Sequence, residues 1–178
     1  MAGKGVDART IAITGIMIAI VCVLTMWGRI LYIPPTQGYI HLGDVAANFA
    51  ALAFGPWIGM VAAGVGMATA DAIGFPLYIV PTLIIHGLQG LVVGYLLGWR
   101  KPWPVMVIAA VIGQLIVAGG YFVVQSLLMG VGAALFELPW NGLQGLFGIF
   151  GGVPLFFLVR RAYPPITQMG SGETWRER

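Results

Sequence analysis

Charge is what this sequence has least of. Only 8% of its 178 residues are Asp, Glu, Lys or Arg, where a soluble domain carries about a quarter. A chain this poor in charge, 59% hydrophobic and with mean hydropathy +0.92, is an integral membrane protein. Cysteine is nearly absent too. Cys22 alone excludes an internal disulfide framework and any thiolate metal cluster. The two histidines, His41 and His86, are far apart, and no His-Glu-x-x-His pair exists. There is no Gly-x4-Gly-Lys-Ser/Thr loop, so this chain does not itself hydrolyse ATP. Ser126 lies among apolar neighbours without an evident base, and Ser171 lies in the polar tail, which argues against a serine hydrolase. Repeated charges within a helix, as in proton relays or voltage sensors, are missing as well. The expectation is a protein that is not an enzyme and uses no cofactor or metal. Its net charge of +3 is small, and its basic residues lie near segment ends, where they report orientation rather than nucleic-acid binding.

What the sequence does have is long apolar runs cut by Gly, Pro and charge. They predict an all-α membrane protein of six transmembrane helices, at about 10–31, 42–54, 57–72, 77–98, 104–129 and 137–159. The second and third are short for full spans. The first run lacks the short apolar region and cleavage site of a signal peptide, so it reads as a retained helix. Lys4 and Arg9 precede helix 1, Arg100 and Lys101 separate helices 4 and 5, and Arg160 and Arg161 follow helix 6. Six crossings put all three groups on one side, the cytoplasm, with Arg29 the exception. The outer loops are then about 32–41, 73–76 and 130–136. Residues 1–165 form the membrane domain and 166–178 a polar cytoplasmic tail.

Small residues recur every fourth position: Gly55, Gly59 and Ala63; Ala62, Gly66 and Ala70; Gly90, Gly94 and Gly98; Gly148 and Gly152. This spacing lets helix backbones approach closely in lipid. Most of these glycines read as packing residues.

The polar residues fall into stripes. His41, Asp44 and Asn48 follow an i, i+3, i+7 pattern, one face of a helix. His86 and Gln89 share a face, as do Gln114, Tyr121 and Gln125, and as do Asn141 and Gln144, which follow Glu137 and Trp140. Asp71 and Tyr78 flank the turn after helix 3. Apart from the deeper Gln114, all lie in the outer half or at the midplane, so they predict one polar pocket open to the outside. Plainer roles stand beside this one. Asp44 suits a helix cap, Asp71 suits the turn, Gln114 suits an interhelical hydrogen bond, and Tyr32, Tyr39 and Trp140 suit an interfacial belt.

The stretches "IPPTQGYIHLGDVAANFAALAFGPWIGMVAAGVGMATAD" and "PTLIIHGLQGLVVGYL" resemble the substrate-binding S components of energy-coupling factor (ECF) vitamin transporters. A Pro-containing outer loop leads to Leu-Gly-Asp at the head of helix 2, followed by an inner Gly-Pro turn and a small-residue helix 3 ending in Ala-Asp. Helix 4 then opens with Pro-Thr-Leu-Ile-Ile. The resemblance covers about 10–160. It implies high-affinity capture of a water-soluble vitamin or precursor in the plasma membrane of a prokaryote. It also implies assembly with a transmembrane coupling subunit and two ATPase subunits, and toppling of the S component to deliver its cargo. The coupling subunit would contact a small-xxx-small pair of helix 1, either Ala8 and Ala12 or Gly15 and Ala19. His41, Asp44 and Asn48 would line or gate the pocket beneath the outer loop. Family members often carry Lys and Glu near the positions of His86 and Gln89, and losing that charge pair alters ligand preference.

The expected pocket holds no lysine, and Arg29 is its one nearby arginine, which disfavours strongly anionic vitamins. Carboxylates with Tyr78, Tyr121 and Trp140 suit a neutral or cationic aromatic ring, such as a hydroxymethylpyrimidine, a pyridoxine-type vitamer or thiamine. Two other classes remain. A facilitator needs a polar track through the inner half, and a structural or assembly subunit needs no converging pocket.

Overall fold

The computed structural model describes residues 7–97 and 102–169. Lys4, Gly98, Arg100, Lys101 and most of the polar tail lie outside them. Six α-helices form a bundle: α1 Ala8–Trp27, α2 Gly43–Phe54, α3 Pro56–Gly74, α4 Ile79–Leu97, α5 Trp103–Met129 and α6 Val131–Ala162. All except α2 are long and apolar enough to cross a membrane. With 12 residues, α2 spans about 18 Å, and nearly all of it is buried. Its Ala-rich sequence fits that place, since small side chains let four neighbouring helices close around it. The expectation of a short third helix is corrected here: α3 has 19 residues. It starts at once after α2, because Gly55 takes φ 88° and Pro56 occupies the first helical turn.

The outer loop after helix 1 is also more ordered than a loop. Helix α1 ends at Trp27, and a small antiparallel hairpin follows, with β1 Leu31–Ile33 paired to β2 Gly38–Ile40. A turn at 34–37 joins them, and Gln37 adopts φ 55° there. The predicted outer loop 130–136 does not exist. Helix α6 begins at Val131, only Gly130 with φ 89° separates it from α5, and the helix runs through Pro139 and Pro154. Proline is favoured in a first helical turn, so Pro139 made 137 look like a start. Here the helix tolerates it internally, as membrane helices do when neighbours satisfy the freed carbonyl.

Glycine carries the packing. A methyl group on Gly64 would stand 2.8 Å from the Leu83 carbonyl oxygen, and one on Gly94 2.5 Å from Pro56 Cα. On α3, a methyl on Gly66 would stand 2.8 Å from the Ile18 oxygen of α1; on α6, one on Gly152 would stand 2.7 Å from Asn48 Cβ. The small-residue repeats therefore sit at helix crossings, as the spacing predicts. The apolar core lies in the half of the bundle around Ala50, Ala53, Met67, Val93, Ala110 and Phe156, and the polar residues occupy the other half.

Candidate functional site

At the end of the bundle capped by the hairpin, a slot is lined by Gly38, Tyr39, His41, Asp71, Tyr78, Tyr121, Gln125, Glu137, Asn141 and Gln144. Residues from β2, the link into α2, α3, the turn before α4, α5 and α6 thus meet in one slot, as their stripes predict. About 330 Å³ of space, part of it open to solvent, lies among these side chains, and little of it is wide enough for a water molecule. The slot is narrow and has to widen for any ring to fit.

Three buried carboxylates organise it. Asp44 is fully buried and accepts from Gln89 Nε2 at 2.9 Å and from Gln144 Nε2 at 2.7 Å. The same two glutamines reach outward. Gln144 Oε1 accepts from the His41 backbone N–H at 3.1 Å, and Gln89 Oε1 lies 2.6 Å from His86 Nδ1. His86 Nδ1 also lies 3.4 Å from Asp44 Oδ1. Asp71 accepts from the Tyr39 hydroxyl at 2.5 Å and from Thr82 Oγ1 at 2.6 Å, and Thr82 touches the Tyr121 hydroxyl at 2.6 Å. Glu137 accepts from Thr36 Oγ1, and the Thr36 carbonyl accepts from the Tyr78 hydroxyl. Buried polar groups in an apolar bundle have to be paired in this way.

These contacts also pin the hairpin. Thr36 at its turn is tied to α6 and to Tyr78, and Tyr39 is tied to α3. The Arg29 guanidinium stacks over the rings of Tyr39 and Phe75 at 4.7 and 4.8 Å, and its Nη2 donates to the Ala70 carbonyl at 3.1 Å. Arg29, the cation at odds with the charge pattern, thus holds the cover of the site. Burial, reinforced by Asp71, keeps the Tyr39 hydroxyl protonated well above its usual range.

Of the residues expected in the pocket, His41, Asp71, Tyr78, Tyr121, Gln125, Asn141 and Gln144 line the slot. Asp44, His86 and Gln89 form the layer directly behind it. Asp44 lies in the first turn of α2, but both its oxygens bind side chains of other helices and neither caps α2. Two expectations are corrected. Asn48 lies deeper, against Gly148 and Gly152, and Trp140 is half-buried without lining the slot. Thr36, Thr82, Tyr39 and Arg29 were not singled out as site residues. Threonines satisfy helix carbonyls so often that their spacing carries no signal.

The start of α2 sets the chemistry of His41. Its Nδ1 accepts from the Gly43 backbone N–H at 3.0 Å. Burial, opposed in part by Asp44, lowers its pKa to about 4, so the ring is neutral at pH 7. A histidine whose folded pKa lies below its unfolded value of about 6.5 takes up its proton on unfolding. Stability is complete above pH 6.5 and falls as the pH drops toward 4, by about 1.4 kcal/mol per unit from this residue. The melting temperature of the purified protein is expected to fall over that interval. His41→Asn, which keeps an acceptor for Gly43, is expected to flatten the fall; an unchanged slope would remove His41 as its source.

Comparison with known proteins agrees with this architecture. Residues 5–161 match the family model for the S component of ECF-type riboflavin transporters. The chain belongs to that family. An uncharacterized protein of Pyrococcus woesei, described only by a gap 3' region, is 35% identical over 148 residues, covering 83% of this chain and 99% of the relative. The chain is thus a multi-pass membrane S component, the substrate-binding subunit of an ECF transporter. In this S component, Ala8, Ala12, Gly15 and Ala19 are all exposed on α1, and a methyl on Gly15 would meet nothing within 4 Å.

Proposed function

We propose that this S component binds, from outside a prokaryotic plasma membrane, a water-soluble vitamin or precursor with a neutral or cationic nitrogen-containing aromatic ring. The observation that carries the reading is the composition of the slot. Asp71 and Glu137 face it, Asp44 lies behind, three tyrosines and a neutral histidine form its walls, and no lysine is among its lining residues. Anionic ligands recruit Arg or Lys, whereas electron-rich faces beside carboxylates attract neutral or positive rings. A hydroxymethylpyrimidine, a pyridoxine-type vitamer or thiamine fits that chemistry. Riboflavin is the second reading, favoured by the family match; the narrowness of the slot supports a smaller ring. Transport would use a coupling subunit and two ATPase subunits. The exposed small residues of α1, Ala8 with Ala12 or Gly15 with Ala19, are proposed as the contact for the coupling subunit, and the end of the bundle opposite the hairpin as the cytoplasmic one, where Ile166, read from the sequence as tail, packs into the apolar core.

Thermal shift of the purified chain against a vitamin panel tests this. A ligand at a hundred times its Kd adds about 2.7 kcal/mol of stability. One ring compound of the named class is expected to raise the melting temperature; a shift with an anionic vitamin alone would overturn the reading.

A further inference from the structure

The hydrogen bonds around Asp44 fix more than position. A carboxylate only accepts, so Gln89 and Gln144 both turn their amide nitrogens to Asp44. The carbonyl oxygen of Gln89 therefore faces His86, and an oxygen 2.6 Å from Nδ1 requires the proton on Nδ1. His86 Nε2 is then left as an acceptor. It is fully buried and has no partner among the described residues, and the rings of His41 and Tyr121 are centred 5.9 and 5.7 Å from its own. A second proton would be drawn by Asp44, 3.4 Å from Nδ1, but it would leave Nε2–H a buried donor without an acceptor; the neutral ring keeps Nε2 an acceptor. His41 has the opposite tautomer. Its Nδ1 accepts from Gly43, so its one proton is on Nε2, and its ring lines the slot.

We propose that the slot reads the amidine edge of an amino-substituted nitrogen ring, with His41 Nε2–H donating to the ring nitrogen and His86 Nε2 accepting from the neighbouring exocyclic amine. The rings of His41 and Tyr121 line the slot and pack against His86, so they would have to part for a ligand to reach its Nε2. Asp44 and Gln89 act as positioning residues, since together they set the His86 tautomer. This rests on the reading of the slot as a ring-binding site and narrows its ligand. An oxo group in place of the amine reverses both hydrogen bonds, because the carbonyl accepts and the adjacent ring nitrogen carries a proton.

The test is calorimetric titration of the full chain in detergent with a hydroxymethyl-bearing aminopyrimidine and with the pyrimidinone that differs only in carrying oxo for amine. The aminopyrimidine is expected to bind about 100-fold tighter or more, as sites built around directed hydrogen bonds discriminate at least that well. Asp44→Asn, which frees Gln89 to turn over, is expected to lower the ratio of the two affinities as well as the affinity itself. Equal binding of both rings, or tighter binding of the pyrimidinone, overturns the assignment. Binding of riboflavin with neither pyrimidine also overturns it, while leaving the protein a ring-binding subunit. Only the failure of every ring compound would overturn the ring-binding reading itself.

Discussion

Asp44→Asn is expected to weaken ligand binding by about 100-fold or more. The carboxylate is fully buried, and its two oxygens hold Gln89 of α4 and Gln144 of α6. Those glutamines in turn hold His86 and the His41 backbone. One residue of α2 thus orients groups on three other segments around the slot. Asparagine has the same shape but replaces one acceptor with a donor, so one glutamine amide loses its partner. Hydrogen bonds to charged groups contribute about 1.5–3 kcal/mol each, and an orphaned buried donor costs about 1–3 kcal/mol more. Those terms amount to two decades or more in affinity. Titration calorimetry of both proteins with the same ligand reads the effect directly. An affinity within threefold of the parent would show that Asp44 ties the helices together without orienting the site.

The largest expected loss of stability comes from Gly90→Ala. A methyl group on Gly90 would overlap the Gly59 carbonyl group and stand 3.0 Å from the Met60 nitrogen. These are backbone atoms of α3, so no side chain can turn aside. The helices would have to separate, and the opposing Gly64–Leu83 and Gly94–Pro56 approaches would open with them. Overpacking costs typically 1–3 kcal/mol, and this backbone contact places Gly90 at or above the upper end. Gly142→Ala is the control. A methyl there meets nothing within 4 Å, and alanine is the better helix former by about 1 kcal/mol. Thermal melts in one detergent are expected to show a large drop for Gly90→Ala and none for Gly142→Ala. Equal behaviour would mean that α3 and α4 are not held by backbone contact.

The two variants mark how far the sequence alone could be read. Helix packing was legible because in lipid it depends on residue size at a fixed spacing, and Gly59, Gly66, Gly90 and Gly94 display both. The convergence of His41, Asp71, Tyr121, Gln125 and Gln144 was legible for a similar reason, since polar groups in an apolar bundle must find one another. The partners of each group were not. That Asp44 would hold two glutamines rather than cap its helix depends on the rotation of α4 and α6 about their axes, and periodicity leaves rotation free. Trp140 shares a turn with Asn141, yet only Asn141 reaches the slot. The outer hairpin escaped because strands of three residues are too short for alternation to register. The start of α6 was masked by Pro139, whose local preference is overridden by the bundle around it.

Native mass spectrometry of the purified chain, beside its Asp44→Asn variant, tests the central claim most directly. The account predicts one small ring-bearing molecule per chain, retained by the parent and lost from the variant. A parent chain that carries no such molecule and takes up none from a ring-vitamin panel would contradict it.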